Sequence, residues 1–194
     1  MKDLKELVGL LFGFIPWILF LFISGHSLTG LERALIICLI VAVIFGFGDL
    51  RRGYILTWGT VIFFGACVVL VNIFKVVWVA SYMDLLSNSM LAAIMWISII
   101  IGMPFALQYA RKDLPKEQWN DPKFIQGCRW ITLVWAYLMS LSVLVSIIRR
   151  SPALHFPGWA YFDVTILIIV TGLTITTLFK RQKRLQRERA QEAI

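Results

Sequence analysis

Long apolar runs alternate with short polar or charged turns along the chain. Six of the runs are close to the length of about 20 residues that a helix needs to cross the hydrocarbon core of a bilayer. They cover residues 7–24, 31–47, 54–74, 90–109, 124–148 and 159–179. The pattern therefore predicts an all-α fold, a polytopic transmembrane helical bundle of about six spans. We predict one bundle domain over residues 1–179 and a basic cytoplasmic tail over residues 180–194.

The link between the third and the fourth run is less apolar than its neighbours. It follows Lys75 and contains Trp78, Tyr82 and Asp84. Trp and Tyr are enriched where a membrane meets water. We therefore interpret residues 76–89 as an interfacial segment.

The composition agrees with a membrane protein. Hydrophobic residues make up 59% of the 194 residues, and the mean hydropathy is +0.80, well above the apolar share of soluble domains. The net charge of +8 would suggest a nucleic-acid partner for a soluble protein. Here positive loops on the cytoplasmic side explain it, so we expect no nucleic-acid partner. Cys38, Cys67 and Cys128 lie inside apolar runs with no CxxC pair, so we expect small buried side chains.

The positive charges are distributed unequally between the two ends of the predicted helices. Fourteen of the 19 Lys and Arg residues fall on one side, in the amino terminus, in the turns at Arg51 and Arg111, and in the tail. Four fall on the other side, and Arg129 lies within the fifth run. Since cytoplasmic loops carry the excess of Lys and Arg, we predict that both termini are cytoplasmic.

The tail contains six basic residues between Lys180 and Arg189. Basic residues beside a membrane attract anionic lipids, by about 1 kcal/mol for each residue. Two overlapping interpretations follow. The tail anchors the last helix on the cytoplasmic side, or it binds anionic lipid. The lipid bilayer itself is the first partner that we expect.

The familiar patterns of catalytic and cofactor-binding sites do not occur in the sequence. The two histidines, His26 and His155, both fall in predicted loops on the outer side, which excludes a haem held by paired histidines within the bundle. The sequence has no GxSxG, no HExxH, no phosphate-binding glycine loop and no thiol redox pair. We therefore expect no cofactor, no metal site and no catalytic residue.

Polar residues within apolar runs define one candidate site. Asn72 lies in the third run and Asp163 in the sixth. Intramembrane ionisable residues commonly mark transport routes, so one hypothesis is a polar cavity at these two residues with the threonines at positions 165, 171 and 174. The alternative is that Asp163 and Arg129 lie shallowly enough to reach the interface, Arg129 by extending its long side chain.

The turn between the fourth and the fifth run defines a second candidate site. Arg111 finishes the fourth run, where a cation suits the helix dipole, and Trp119 is typical of an interface anchor. Asp121 and Pro122 are typical of a helix N-cap and first residue. We predict a polar cluster at the cytoplasmic interface that contacts lipid or a protein partner, formed with Trp119 by Gln108, Arg111 and Arg129.

This turn and its flanking runs carry a distinctive pattern, PFALQYARKDLPKEQW followed by NDPKF and TLVWA. The pattern resembles bacterial inner-membrane proteins of the intracellular septation protein A type. The likeness is strongest over residues 99–148 and is only architectural over the first three runs. The sixth run and the basic tail depart from those five-span proteins. The matching residues are Pro104, Phe105, Gln108, Tyr109, Ala110, Arg111, Pro115, Trp119, Pro122, Phe124, Thr132 and Trp135.

The resemblance implies a helical protein of the bacterial inner membrane that supports envelope maintenance or division through other membrane proteins. It implies no catalytic residues. Our leading hypothesis is therefore a non-enzymatic scaffold or accessory subunit. The alternative is a small transporter or lipid-handling protein, which would need a cavity at membrane depth. A membrane enzyme would instead need the Gln108–Arg111–Arg129 cluster to face a substrate such as a lipid phosphate.

Overall fold

The fold of the protein was obtained as a computed structural model. The backbone is described over residues 2–24, 27–113, 119–151, 164 and 166–178, and the side chains over the same residues except 2–12 and 113. Within these ranges the chain forms helices and turns and no strand. The all-α prediction is therefore confirmed.

Eight α-helices are present in the described ranges. They are α1 (Lys2–Ile23), α2 (Leu28–Arg51), α3 (Ile55–Cys67), α4 (Val77–Ser81), α5 (Met83–Ile100), α6 (Phe105–Ala110), α7 (Pro122–Ile148) and α8 (Ile166–Leu178). A π-helix (Val68–Ile73) continues α3, and a 3-10 helix (Arg111–Asp113) continues α6.

Four helical segments are long and apolar enough to cross a membrane: α2, α3 with its π-helix, α5 and α7. Two further segments, Gly13–Ile23 and α8, are apolar but shorter. The segments α2, α3 and α7 lie within a few residues of the predicted runs. The chain is therefore an all-helical membrane protein with at least these four candidate spans.

The turn between α2 and α3 is held by its own backbone. Gly53 adopts a φ of +73°, which glycine reaches without steric cost. The Tyr54 amide donates to the Asp49 carbonyl at 3.0 Å. The indole of Trp58 donates to the Leu50 carbonyl at 3.1 Å. These bonds bring α3 back alongside α2 as an antiparallel hairpin.

The predicted span over residues 90–109 is wrong at both ends. The helix α5 begins earlier, at Met83, so the second half of the predicted interfacial segment belongs to α5. The helix α5 ends at Ile100, because Gly102 has a φ of +78° and its amide donates to the Ile99 carbonyl. The Met103 amide donates to Ser98, which completes the Schellman arrangement. Pro104 follows and cannot continue the helix.

The separate helix α6 is buried in the bundle along most of its length. All its residues except Ala110 are buried. Its first amides find side-chain acceptors, because the Phe105 amide donates to Ser98 Oγ at 3.2 Å and the Ala106 amide to Thr132 Oγ1 at 3.4 Å. Neighbouring helices therefore cap α6, which a lone six-residue helix would need in order to persist.

Aromatic side chains hold α1 against the rest of the bundle. The Phe14 ring stacks on Trp135 of α7, with centroids 5.3 Å apart. Trp17 stacks on Phe63 at 5.1 Å, and its indole donates to Thr60 Oγ1 at 2.8 Å. The three cysteines are also buried, as predicted. The core thus joins α1 to both α3 and α7.

The helix α7 packs against α5 on one side and α8 on another. The Trp96 indole of α5 donates to Ser140 Oγ at 3.1 Å, and the Trp135 indole donates to Thr176 Oγ1 of α8 at 3.1 Å. The start of α7 matches the prediction, because Asp121 caps it by accepting from the Lys123 amide at 2.9 Å.

Candidate functional site

Asp84 and Arg150 form a bidentate ion pair where α5 begins and α7 ends. Arg150 Nη2 lies 2.5 Å from Asp84 Oδ1, and Nη1 lies 3.0 Å from Oδ2. The adjacent Arg149 approaches the same carboxylate, with Nη1 3.8 Å from Oδ2. The side chains of Asp84 and Arg150 are 33% and 26% exposed. The pair is therefore partly withdrawn from solvent.

The guanidinium of Arg150 is fixed by further contacts. It donates to the carbonyl oxygens of Ser81, at 2.7 Å, and Ser146, at 3.3 Å. It also lies 4.6 Å from the ring centroid of Tyr82, a cation–π distance. Its hydrogen bonds to Asp84 raise the pKa of Arg150 further. The arginine thus stays charged and ties α7 to the α4–α5 junction.

Polar residues continue inward from this ion pair along two facing helices. Asn88 Nδ2 donates to Ser146 Oγ at 2.9 Å, one helical turn from Asp84 and Arg150. Ser87 and Ser142 donate to carbonyl oxygens of their own helices. Because residues four apart share a helix face, these side chains form two polar stripes that face each other.

The two stripes form one wall of a cavity of about 1230 Å³. It exceeds the range of about 300–1,000 Å³ that is usual for small-molecule sites. From Trp135 to Arg149 it extends about 21 Å along α7, at about 1.5 Å per residue. The inner end is apolar, and so is the opposite wall apart from Ser24 and Ser27. The apolar lining residues include Phe14, Trp17, Leu91, Trp135, Met139 and Leu173.

The cavity therefore changes in polarity along its length. Charged groups of Asp84, Arg149 and Arg150 line one end, and the stacked rings of Phe14 and Trp135 line the other. Polar groups in such a pocket orient a ligand, while the apolar surface supplies most of the binding free energy. In the part of the chain that the structure describes, no group of three or more His, Cys, Asp or Glu side chains could hold a metal.

Gln108, one of the predicted site residues, forms hydrogen bonds within the bundle core. Its side chain is 4% exposed. The amide oxygen accepts from the Ile55 amide at 2.9 Å, and the amide nitrogen donates to the Met103 carbonyl at 3.1 Å. Gln108 therefore joins the first residue of α3 to the break between α5 and α6.

The structure brings Arg111 and Trp119 together. Arg111 Nη2 donates to the Trp119 carbonyl at 3.4 Å, and the guanidinium lies 5.5 Å from the Trp119 ring centroid. The Nε atom of Arg111 is buried and makes no hydrogen bond to any residue that the structure describes. These contacts close the turn that leads from α6 to α7.

The predicted three-residue cluster is not formed. Arg129 is exposed on α7, whereas Gln108 is buried between α6 and α3. Within the described residues no hydrogen bond or ion pair joins Arg129 to Gln108 or Arg111. The sequence placed these residues at one end of the bundle but could not show which helix face each one occupies.

Only part of the second predicted site lies in the described residues. Asn72 Nδ2 donates to the Glu32 carbonyl at 3.2 Å, and its Oδ1 is buried with no hydrogen bond from any described residue. Asn72 does not line the cavity. Thr171 and Thr174 are likewise absent from the lining. Asp163, Thr165, both histidines and the tail lie outside the described residues.

Asp84, Asn88, Ser146 and Arg150 were not selected from the sequence. Asp84 and Asn88 are four residues apart, and so are Ser142, Ser146 and Arg150. Such spacing places polar residues on one face of a helix. The four-residue spacing is visible in the sequence. Asp84 and Asn88 were nevertheless left out of the candidate spans, because residues 76–89 were predicted to lie at the interface.

Comparison with known proteins adds no function to this geometry. No family model, curated protein or solved structure matches the chain. The resemblance to septation proteins thus stays a prediction from the residues around the α6–α7 turn. The polarity of the cavity is the feature from which a function can be argued.

Proposed function

We propose that this membrane protein binds an amphipathic, lipid-like molecule in the cavity, which is the lipid-handling alternative among the functions considered. The observation that carries the proposal is the graded lining. The Asp84–Arg150 pair and Arg149 line one end, and stacked aromatic rings line the other.

The physical match between cavity and ligand is one of polarity. A small polar solute would leave the aromatic end unused, since it gains little from apolar surface. A purely apolar molecule would desolvate the ion pair without replacing its water, which is costly. An amphiphile satisfies both ends, with its headgroup beside the charged groups and its chain buried at about 25 cal/mol for each Å² of apolar surface.

Filling the cavity tests this proposal. Ser87 lines the cavity, and its hydroxyl bonds only to the Asp84 carbonyl of its own helix, so Ser87→Trp adds bulk without breaking a bond between helices. We expect at least a tenfold loss in binding of a spin-labelled lysophospholipid, measured as the immobilised fraction by electron paramagnetic resonance.

Ser89→Trp is the matched control, because Ser89 lies on the same helix and outside the cavity lining. It should bind the probe as the unaltered protein does. Equal immobilisation in the two variants, or none in the unaltered protein, would contradict the proposed function.

We also propose the finer topology: six spans, with α1 and α8 as the two shorter ones, both termini in the cytoplasm, and location in a bacterial inner membrane. Support comes from the ends of the helices. Lys112 Nζ lies 2.7 Å from Asp49 Oδ1, so the α2–α3 and α6–α7 turns share one end, and both are rich in Lys and Arg. Positive loops favour the cytoplasmic side.

Fusions to alkaline phosphatase, which is active only outside the cytoplasmic membrane, test this orientation. We expect activity when the enzyme follows Ser151 and none when it follows Lys112 or Ile194. Blotting for each fusion controls for expression. Activity after Ile194 would place the carboxyl terminus outside and would refute the topology.

The scaffold role in envelope maintenance or division remains a second proposal, drawn from the resemblance. One observation favours a protein partner. Among the four candidate spans, α2 has the smallest buried share, 28% against 39% for each of the others. Its outer face, which includes Ile40 and Ile44, is where a partner helix would pack. Anionic lipid at the basic tail is proposed on the same footing, from its sequence.

A further inference from the structure

The exposed face of α7 changes character at one position. Lys123, Gln126 and Arg129 are exposed and polar, and beyond them the exposed side chains are aromatic or aliphatic. This apolar part comprises Trp130, Tyr137, Leu141, Leu144 and Ile147. Lipid therefore meets α7 from Trp130 onward, and Arg129 is the last polar residue before it.

The length of this apolar face matches a membrane. From Trp130 to Ile147 it covers about 26 Å at about 1.5 Å per residue, close to the roughly 30 Å of a hydrocarbon core. The neighbouring α8 agrees, because it packs on α7 through the Trp135–Thr176 bond and is apolar as far as Leu178, the last residue described there. The sequence becomes basic two residues later, at Lys180. Arg129 thus lies at the level of the lipid headgroups.

Three other cations at this end of the bundle make contacts of a kind that Arg129 lacks. Lys112 pairs with Asp49, and Arg111 bonds to the Trp119 carbonyl. Arg51 lies 4.4 Å from the Phe47 ring centroid. In the described part of the chain, no hydrogen bond or ion pair engages Arg129. Its guanidinium offers five donors in a planar fork, and none of the described residues accepts from them.

We propose that Arg129 and Trp130 form a binding site for the phosphate group of an anionic phospholipid. Arginine binds phosphate oxygens through two parallel hydrogen bonds, and Trp beside it favours the headgroup level. The lipid chain then lies along Tyr137 and Leu141. This site is on the outer surface of α7, so it is independent of the cavity and of the function proposed for it.

The charges around the site select an anionic lipid over a zwitterionic one. Arg129 and Lys123 are both exposed on this face, while Asp121 is engaged as the N-cap of α7. The headgroup of phosphatidylcholine includes a quaternary ammonium group, which competes with the arginine for the phosphate. A basic residue near the surface strengthens attraction to a net negative lipid by about fivefold, the ratio that about 1 kcal/mol represents.

Fluorescence quenching in lipid nanodiscs tests the site. The full chain is placed in phosphatidylcholine nanodiscs that contain either brominated phosphatidylglycerol or brominated phosphatidylcholine. The signal of Trp130 is the part that disappears in Trp130→Phe. We expect the phosphatidylglycerol probe to occupy the site about fivefold more strongly, and Arg129→Gln to abolish this preference.

Two variants separate the site from general attraction. Lys123→Gln removes a neighbouring exposed charge and should keep most of the preference. Arg129→Lys should keep part of it, because the charge remains but the two parallel hydrogen bonds of the guanidinium do not. Equal quenching by the two lipids in the unaltered protein, or a preference that survives Arg129→Gln, would overturn the proposal. So would an equal loss in Arg129→Lys and Arg129→Gln, which would indicate that Arg129 only positions Trp130.

Discussion

Replacing Asp84 with leucine is expected to lower the free energy of unfolding by about 2 kcal/mol. The change leaves Arg150 without its carboxylate in a site where the side chain is only 26% exposed. Removing one partner of a fully buried pair costs about 3–5 kcal/mol, and partial solvent access reduces this. Reversible unfolding by sodium dodecyl sulfate in mixed micelles, followed by circular dichroism, measures the loss.

The Glu32–Lys75 pair supplies a matched control. Its Nζ–Oε1 distance is 2.7 Å, but the Lys75 side chain is 62% exposed. Glu32→Leu should therefore cost less than about 1 kcal/mol. Adding Arg150→Leu to Asp84→Leu should restore part of the loss, because it removes the uncompensated charge. Strictly additive losses from the two changes would show that the ion pair is not the cause.

Replacing Gln108 with leucine is expected to lower the free energy of unfolding by about 2–4 kcal/mol. The side chain of Gln108 satisfies the Ile55 amide and the Met103 carbonyl, which lie on different segments. A buried polar group that loses its partner costs about 1–3 kcal/mol, and both groups lose theirs. The same detergent titration measures the effect.

Gln126→Leu is the control for this change, because Gln126 is exposed on α7 and should cost less than about 0.5 kcal/mol. Gln108→Glu should fall between the two. A carboxylate can accept from the Ile55 amide but cannot donate to the Met103 carbonyl. If Gln108→Leu is as stable as Gln126→Leu, the link between α3 and the α5–α6 break does not support the fold.

The sequence was most informative where only apolarity mattered. The helices α2, α3 and α7 were predicted within a few residues, because side chains facing lipid and those facing neighbouring helices are equally apolar. The prediction failed at α5, where Asp84, Ser87 and Asn88 lie in the first turns. Their polarity serves the cavity, and a measure of apolarity cannot distinguish that from a position outside the membrane.

The break between α5 and α6 shows a different limit. Gly102 and Pro104 are visible in the sequence as a helix end. Whether α6 then forms depends on the Ser98 and Thr132 hydroxyls that cap its first amides. Thr132 belongs to α7 and is 26 residues from Ala106. Local patterns cannot supply a partner that only tertiary packing brings into place.

The candidate site was hidden for the same reason. Asp84 and Arg150 are 66 residues apart, and each has an ordinary interpretation by itself, one as an interfacial acid and the other as the end of a helix. Gln108 was selected for a polar cluster that does not form. Its partner is the Ile55 amide, and a backbone group leaves no mark in a sequence. Paired groups on separate helices become visible only when the helices are placed.

The burial of α6 also constrains how the protein is made. The four candidate spans are each apolar and long enough to enter the bilayer during synthesis as single helices. The six residues of α6, which include Gln108 and Tyr109, cannot do so alone, because unsatisfied polar groups in hydrocarbon are costly. Their hydrogen-bond partners belong to α3, α5 and α7, and α7 emerges from the ribosome after α6. Biogenesis must therefore end with a packing step, in which α6 enters a site that the inserted helices have already built.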